Sequence, residues 1–331
     1  MSDYGHDLLF GTFVTPRVQG AKDVVDLAVT ADRAGLDLVT FQDHPYHPGL
    51  LDTWTLLSFV AARTERIRVA GNVISLPLRP PAVLARAAAS LDILSGGRFE
   101  LGIGAGAFWD GIASMGGRRL TPGQAVEALR EAIAIIRDVW DTQASGIMRH
   151  EGRYYTAVGT KRGPRPAHDI SIWVGSYKPK MLELTGAVAD GWLPSLEYLP
   201  RGVDSLPELN AHIDDAAMAA GRSPTAVRRL LNIMNVQFSP SNRGVLNGPP
   251  QQWVEQLADL ALTHGVSAVF IGGDDHAMTE RFAAEVVPAV RELVACERAR
   301  GGARKDALLT RSAQEGRLPD ARCLEGRPLD A

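Results

Sequence analysis

The residues best suited to chemistry stand where apolar, strand-like runs of the sequence end. Asp43 and His44 follow the run LDLVTFQ and place a carboxylate beside an imidazole, which titrates near neutral pH and can act as a general acid or base. Further along, Gly102, Gly104 and Gly106 alternate in the run RFELGIGAG. Alternate residues of a strand share one face, so the missing side chains predict either room for a flat cofactor or tight packing of the strand.

These alternating glycines do not have the pattern of a dinucleotide-binding turn. Such a turn needs the spacing G-x-G-x-x-G between the first strand and the first helix, with an acidic residue about 20 positions further on. Here the spacing is G-x-G-x-G, the strand is the fourth, and a long loop separates it from the next helix. A Rossmann-type site is therefore not predicted.

Two more strand ends carry groups suited to binding a ligand. Residues 72–74 end the third strand-like run and begin with the polar amide of an asparagine. Residues 175–177 end the fifth run, just before a helix that opens at Pro179. Because N–H groups at a helix N-terminus bind anions, this end predicts a phosphate site. Each feature has a structural alternative, since the Asp-His pair could cap a turn and Ser176 could cap the helix. Their common position at strand ends favours a site.

The elements that must position these residues alternate between short apolar strands and longer amphipathic helices. We count eight strand–helix units, with an extended, hairpin-like insertion at 141–168 after the fourth unit. Eight such units without a second core predict an α/β fold, the (β/α)8 TIM barrel, whose active sites lie at the carboxyl ends of the strands. The helix over 121–140 carries the clearest start signal, a capping box of Thr121 and Gln124.

Domain organisation follows from the same pattern. We predict one barrel domain over residues 1–300, in which the seventh strand covers 227–238. The tail over 301–331 is polar, rich in Arg, Asp and Gly, and lacks apolar periodicity. We therefore expect the tail to be poorly ordered or to lie on a partner subunit.

Composition narrows the classes of partner. The chain has 331 residues and a formal net charge of −3, and its balanced charges predict neither a nucleic-acid nor a membrane-surface partner. No apolar stretch is long enough to span a membrane and the polar start does not resemble a signal peptide, so we expect a cytoplasmic protein. Cys296 and Cys323 stand near no histidine cluster, so neither a metal site nor a disulfide scaffold is predicted.

Five motifs resemble those of one known group of enzymes. They are FQDHPYHP (41–48), GNVISLPLRPPAVLARAAASLDILSGGRFELGIGAGAFWD (71–110), RLTPGQAVEALREAIAIIRDVW (119–140), EGRYY (151–155) and WVGSYKPKMLELTGAVADGWL (173–193). Over residues 8–295 the chain resembles the bacterial luciferase-like superfamily of (β/α)8 flavin and deazaflavin oxidoreductases. It is most similar to the branch that uses coenzyme F420, because its Asp-His pair stands where many members that use flavin mononucleotide (FMN) carry Glu-His-His.

The resemblance implies a role for each strand end. Family members carry a non-prolyl cis peptide in a bulge after the third strand, and the distance from Pro81 places it at Asn72–Val73. The resemblance makes His44 a general acid–base or an orienting group, with Asp43 beside it; the alternative is a hydrogen-bonded histidine of the rim. The residues implied to hold the cofactor are Asp43; Asn72, Val73 and Ile74 behind the ring; Gly104, Ala105 and Gly106 along it; and Gly175, Ser176 and Tyr177 around the phosphate-bearing tail.

Two departures from the family pattern bear on the substrate. Sugar-phosphate dehydrogenases of the F420 branch have a glutamate just after the glycine run and a tryptophan shortly after the Asp-His pair, whereas this chain has Ala107 and Pro48. A sugar phosphate is therefore not the predicted substrate, and a more apolar pocket is expected. The residues predicted to line it are Tyr46, Phe108, Trp109 and Trp192, with packing of a lid as the alternative for the Phe-Trp pair.

We predict an oxidoreductase that transfers a hydride between coenzyme F420 and a small organic substrate, with His44, or Asp43 through it, handling the proton. The alternative is a luciferase-like monooxygenase in which reduced FMN reacts with O2. A cofactor-binding protein without turnover is a third possibility, and a metal hydrolase is a fourth. The metal ligands would then be drawn from Asp43, His44, His47, Asp274 and Asp275. The resemblance also implies a homodimer, with the apolar faces of the second and third helices as its candidate interface.

Overall fold

The computed structural model describes residues 3–314 and contains short strands in the order that the sequence predicts. In chain order these strands are β1 (Leu9–Val14), β2 (Leu38–Phe41), β3 (Arg68–Gly71), β4 (Ile74–Ser75), β5 (Phe99–Gly104), β6 (Arg149–Glu151), β7 (Thr156–Val158), β8 (Ile172–Val174), β9 (Gly191–Trp192), β10 (Arg228–Ile233), β11 (Gln237–Phe238), β12 (Asn247–Gly248) and β13 (Val266–Gly272).

Nine of these strands form one closed parallel barrel with eight positions. β1 pairs with β2, β2 with β3, and β3 with β5, while β4 continues the third position after a bulge. The ring continues through β8, β9 and β10 to β13, and the pairing of β13 with β1 closes it. The predicted (β/α)8 TIM barrel is confirmed.

Helices connect the barrel strands and cover the outside of the barrel. They are α1 (Ala21–Ala34), α2 (Thr53–Ala61), α3 (Pro81–Ser95), α4 (Trp109–Ser114), α5 (Pro122–Trp140), α6 (Pro179–Val188), α7 (Leu206–Ala219), α8 (Pro250–Leu262), α9 (His276–Arg281) and α10 (Val287–Gln314). The predicted capping box of α5 is present, because the Gln124 N–H donates to Thr121 Oγ1 and the Thr121 N–H donates to Gln124 Oε1. None of the helices within residues 3–314 is both long and apolar enough to cross a membrane.

The last helix extends into the predicted tail. α10 runs on to Gln314 and so includes residues 301–314, while the poor order expected of the tail stays a prediction. Alanine, arginine and leucine together make up seven of the 14 residues of this stretch, and their high helix propensity favours continuation even without an apolar stripe. The remainder of the predicted tail, residues 315–331, lies outside the described residues.

The insertion after the fourth unit contains the predicted hairpin. β6 and β7 pair in antiparallel fashion. The turn between them is attached to α5 through Glu131, whose carboxylate accepts hydrogen bonds from the N–H groups of Arg153, Tyr154 and Tyr155 at 2.9–3.1 Å. One carboxylate therefore satisfies three backbone donors of the turn and fixes the hairpin to the barrel wall.

The seventh barrel strand is shorter than predicted. β10 ends at Ile233, and Asn235 then adopts a left-handed conformation with φ of 53°. Beyond it, Gln237 and Phe238 form β11, which pairs with β12 outside the barrel. The prediction of one strand over 227–238 is wrong because the alternation of apolar residues continues through the turn.

Two layers of apolar side chains fill the molecule. The larger lies between the barrel strands and the helices, and a smaller one fills the inside of the barrel. The inner cluster consists of Leu38, Ala70, Trp173, Leu193, Leu230, Ala268 and Phe270. Because the barrel interior is packed rather than open, a ligand has room only beyond the carboxyl ends of the strands.

Candidate active site

A bulge interrupts the third barrel position between β3 and β4. The peptide bond between Asn72 and Val73 is cis, as the resemblance to the superfamily implies. The Asn72 N–H still donates to the carbonyl of Phe41, at 2.7 Å, so the bulge remains attached to β2. Val73 packs against the apolar cluster inside the barrel.

The glycines around the bulge make room for it. A Cβ added at Gly104 would lie 2.7 Å from Cγ2 of Val73, and one at Gly102 would collide with the carbonyl oxygen of Gly71. On the next strand, a Cβ at Gly175 would lie 3.3 Å from the same Val73 atom. The idea that the missing side chains leave open room for a flat cofactor is therefore wrong for Gly102 and Gly104, which allow close packing instead.

The other residues predicted to contact the cofactor ring near the bulge are Ile74, Ala105 and Gly106. Ile74 is buried in the outer apolar layer, and Ala105 is half-buried at the rim. Gly106 begins the following loop with φ of 96°, a conformation that favours glycine. A Cβ at this position would also lie 2.8 Å from Cγ of Pro77.

A pair of buried amides holds the bulge from inside the barrel. Asn72 Nδ2 donates to Asn232 Oδ1 at 2.7 Å, and Asn232 Nδ2 donates back to Asn72 Oδ1 at 3.0 Å. Asn72 also donates to Thr40 Oγ1, and Asn232 to Ser195 Oγ, both at 3.1 Å. Sequence reasoning missed Asn232, although a lone amide in the apolar run LLNIM was a usable signal.

Asp43 is an anchor rather than a free acid. Its side chain is buried and accepts a hydrogen bond from the Ser75 N–H at 2.9 Å. The guanidinium of Arg79 donates to both carboxylate oxygens, at 3.2 and 3.3 Å, and also reaches Asp52 at 2.9 Å. No hydrogen bond joins Asp43 to His44 among the described residues. The predicted handling of a proton by Asp43 through His44 therefore finds no contact, and Arg79 is a site residue that the sequence reading missed.

His44 is half-buried and paired with Tyr46. The distance from His44 Nδ1 to Tyr46 Oη is 2.6 Å, and the imidazole and the ring of Phe108 form a T-shaped contact with centroids 5.2 Å apart. Burial lowers the pKa of His44 below its usual value of 6.5, although Asp43 raises it in part. Burial, and then Asp43, raise the pKa of Tyr46 to about 12. Both side chains are therefore neutral near pH 7.

A cavity of about 510 Å3 opens beside this pair. Its wall consists of Tyr46, Ala107, Phe108, Trp109, Asp110, Gly111 and Arg119. Arg119 forms an ion pair with Asp110, so the positive charge in the cavity wall is neutralised by a neighbouring carboxylate. Trp192 does not line the cavity: it is 1% exposed, and its indole N–H donates to the carbonyl of Ser176 at 2.8 Å.

The loop before α6 faces the rim with its backbone. The hydroxyl of Ser176 lies 3.0 Å from Thr185 Oγ1, and the Tyr177 hydroxyl accepts a hydrogen bond from the Ser195 N–H. The side chains that were predicted as ligands are thus engaged within the protein. By contrast, the N–H groups of residues 176–178 have no partner among residues 3–314, and Lys178 is exposed beside them. Free amides and a cation at a helix start are suited to an anion.

No group of three His, Cys, Asp or Glu side chains in the described part of the chain is arranged to hold a metal ion. Asp274, one of the residues weighed as a ligand, instead accepts hydrogen bonds from the Thr15 N–H and from Arg17. The metal-hydrolase alternative therefore has no structural support among these residues.

Several curated relatives share substantial identity with this chain. A protein from Amycolatopsis mediterranei named F420-dependent glucose-6-phosphate dehydrogenase is 33% identical over 180 residues, which is 53% of each chain. One of the same name from Kribbella flavida is 30% identical over 65% of this chain and 64% of its own. A phthiodiolone/phenolphthiodiolone dimycocerosates ketoreductase from Mycobacterium kansasii is 33% identical over 67% of this chain and 55% of its own. The matches thus span between about half and two thirds of these relatives.

Solved structures and a family profile agree on the fold. An F420-dependent secondary alcohol dehydrogenase in complex with an F420-acetone adduct superimposes with a TM-score of 0.74 at 16% identity, over 86% of this chain and 99% of that one. A monooxygenase from Streptomyces bottropensis has a TM-score of 0.71 at 20% identity, over 85% and 99%. The profile of the family described as luciferase-like monooxygenase matches residues 8–237. The chain belongs to this luciferase-like family.

Proposed function

We propose that this protein is an F420-dependent oxidoreductase that transfers a hydride between the deazaflavin and an uncharged, apolar alcohol or ketone. The curated relatives named above support the cofactor, since two are named as F420-dependent dehydrogenases. The cavity supports the substrate class. Its aromatic wall stands beside a neutral histidine–tyrosine pair, and the cation in the wall is paired with a carboxylate. This arrangement is the observation on which the proposal depends.

The rim offers what a flat cofactor with an anionic tail requires. The unpartnered N–H groups of residues 176–178, with Lys178 beside them, would hold the tail. The bulge at Asn72–Val73, fixed from inside by Asn232, would support the ring from behind. Bound there, the deazaflavin would accept or donate a hydride and would not activate O2. The remaining tasks belong to the protein.

The protein's own residues divide those tasks. Asp43 and Arg79 fix the second strand end to the bulge and to α2, and so set the position of His44. Phe108 packs against the imidazole and, with Trp109, forms the aromatic part of the cavity wall. His44, whose pKa is lowered by burial, is neutral at pH 7 and can accept a proton when an alcohol is oxidised.

A phosphorylated sugar does not suit this cavity. A dianionic phosphate needs unpaired cations or several N–H donors, whereas the wall contains a carboxylate, Asp110, that already neutralises Arg119. Ala107 and Pro48 supply neither the acid nor the indole that the sugar-phosphate pattern includes. We therefore assign an apolar substrate despite the names of the relatives.

We further propose that the chain acts as a homodimer in the cytoplasm, with α2 and α3 at the interface. Four large apolar side chains of these helices face solvent: Phe59 is 52% exposed, Val83 64%, Ile93 45% and Leu94 86%. In the proposed dimer, a second copy of the chain would cover these side chains. Light scattering gives the mass directly, and we expect a dimer that Leu94→Glu converts to monomers; a monomeric wild-type protein would contradict this.

The first test is a fluorescence titration with oxidised F420 and with FMN in parallel. We expect tight binding of F420 and weak binding of FMN. The F420 complex is then mixed with secondary alcohols of increasing size and with glucose 6-phosphate, and loss of the deazaflavin absorbance is followed. Oxidation of the alcohols but not of glucose 6-phosphate supports the proposal. Preference for FMN, with oxygen consumed when the flavin is reduced, would instead favour the monooxygenase.

A further inference from the structure

The cavity wall contains Tyr46 but not His44. The wall residues include the tyrosine, whereas the imidazole lies behind it with Nδ1 at 2.6 Å from Tyr46 Oη. Because Tyr46 lines the cavity and His44 does not, we expect a substrate oxygen in the cavity to reach the phenol rather than the imidazole. On this geometry, and relying on the function proposed above, we propose that Tyr46 is the catalytic residue that exchanges a proton with the substrate oxygen, and that His44 receives that proton from Tyr46.

The position of Tyr46 is fixed on two sides. A Cβ at Gly111 of α4 would lie 2.6 Å from both Cγ and Cδ2 of Tyr46, so the missing side chain lets the helix lie against the phenol ring. On another side, the ring of Phe108 has its centroid 6.1 Å from that of Tyr46. The phenol is held against the imidazole by these contacts, which favours a defined proton path.

The other polar groups of the wall are poorly suited to this role. Arg119 remains protonated in proteins, and Asp110 is fully exposed and paired with it. Trp109 can donate a hydrogen bond through its indole but cannot release a proton. Position 107, where an acid would stand in the sugar-phosphate pattern, is alanine. Tyr46 is thus the wall residue that can both give and take a proton.

In the direction of oxidation the step balances as follows. The substrate hydroxyl donates a hydrogen bond to Tyr46 Oη, and the substrate C–H leaves as a hydride to the deazaflavin, which is the oxidant. As the C=O bond forms, the hydroxyl proton passes to Tyr46 Oη while the phenol proton passes to His44 Nδ1. After the ketone leaves, His44 Nδ1 returns its proton to Tyr46 Oη, and Tyr46 releases the substrate-derived proton to water in the cavity. This restores the neutral Nε2–H imidazole and the phenol, and reduction of a ketone follows the reverse path. The high pKa of Tyr46 keeps the phenol protonated between turnovers.

This proton path requires one particular tautomer of His44 in the resting enzyme. Tyr46 Oη must donate to an unprotonated Nδ1, so neutral His44 must carry its proton on Nε2. Long-range nitrogen–proton NMR on the full-length protein with labelled histidine reports the tautomer without any substrate. We expect the Nε2–H tautomer, and a change in the Nδ1 shift in Tyr46→Phe. A proton on Nδ1 in the neutral ring would overturn the inference, because the phenol would then have no acceptor.

The kinetic test uses oxidised F420 and cyclohexanol. Removing only the hydroxyl, Tyr46→Phe is expected to lower kcat by about 100-fold or more without changing the affinity for F420. The wild-type rate should rise with pH through the pKa of His44, and this limb should be lost in the variant. The charged and titratable groups around the pair are Asp43 and His47 on the same loop, with Asp110 and Arg119 across the cavity.

Tyr4→Phe is the matched control, since it removes another hydrogen-bonded phenol at the opposite end of the barrel. We expect it to keep the wild-type kcat. Full activity in Tyr46→Phe, with turnover in the wild type, overturns the inference and leaves the proposed function standing. If the wild type binds F420 but oxidises neither cyclohexanol nor the other alcohols, the proposed substrate class fails and the inference fails with it.

Discussion

Asn72 and Asn232 exchange two hydrogen bonds across the inside of the barrel, at 2.7 and 3.0 Å. One stands at the bulge after β3 and the other on β10, so the pair joins the third and seventh barrel positions directly. Both side chains are buried, at 9% and 2% exposure. Each side-chain amide provides the hydrogen-bond partner of the other. If one were removed, the remaining amide would be buried without that partner and without water to replace it.

We expect Asn232→Ala to lower the free energy of unfolding by about 1–3 kcal/mol, because it leaves the amide of Asn72 without its main partner. Urea unfolding followed by circular dichroism measures the loss. Gln251→Ala, on the exposed face of α8, is the control and should change little. A double-mutant cycle with Asn72→Ala should give a coupling of about 0.5–3 kcal/mol. Additive single-mutant effects would show that the pair is not a unit.

Gly104→Ala tests whether the missing side chain at Gly104 is needed for the bulge at Asn72–Val73 to pack against β5. The added methyl would lie 2.7 Å from Val73 Cγ2, so the bulge must move or the strands must separate. We expect a loss of about 1–3 kcal/mol in the free energy of unfolding, typical of overpacking, together with weaker F420 binding. Gly123→Ala in the first turn of α5 meets nothing within 4 Å and should be neutral or slightly stabilising. Equal effects of the two variants would refute the packing argument.

Much of the fold was readable from the sequence because its signals are local. Eight apolar runs alternate with amphipathic helices, and the Thr121–Gln124 capping box marked the start of α5 within one turn of the chain. The end of β10 was misread because apolar alternation continues past Asn235, where the backbone turns left-handed. The left-handed backbone at Asn235 ends the strand, although the sequence on both sides of it has the apolar pattern of a single strand.

The candidate site was only partly readable, because its decisive contacts are between residues far apart in the chain. Asp43 was recognised, but its partner Arg79 comes from another strand–helix unit and no spacing rule connects them. Trp192 was predicted to line the pocket, but nothing in its spacing tied it to the other residues of the pocket, and the structure buries it. The closeness of Tyr46 to His44 was visible as a two-residue separation, yet only the placement of the cavity shows which of them meets a ligand.

Arg79→Met tests the anchoring of Asp43. The carboxylate is fully buried, and without the guanidinium it would keep a single donor, the Ser75 N–H. We expect the free energy of unfolding to fall by about 3–5 kcal/mol, because a buried charge is left without its partner. Arg149→Met is the control: it breaks an ion pair with Glu151 that is exposed on both sides, and we expect less than about 1 kcal/mol. Similar losses of unfolding free energy in the two variants would mean that the ion pair with Arg79 does not stabilise Asp43 in its buried position.

His168 gives a prediction for pH, at the end of the barrel away from the cavity. Its Nδ1 lies 2.8 Å from Asp92 Oδ1, and its Nε2 lies 3.5 Å from Glu100 Oε1, the outer limit of a hydrogen bond. Glu100 raises the pKa of His168 above its usual 6.5; burial opposes this, and Asp92 adds to the rise. The folded state therefore holds the proton more tightly than the unfolded state does.

This difference fixes the sign of the pH dependence. The contribution of His168 to stability is fully present below pH 6.5 and is lost as the pH rises through the higher pKa of the folded state. Urea unfolding at a series of pH values from 6 to 9 should show wild-type stability falling over this window more steeply than that of His168→Gln. His212→Gln, on the outer helix α7, is the control and should follow the wild type. A wild-type profile parallel to that of His168→Gln would show that the proton on His168 does not stabilise the fold.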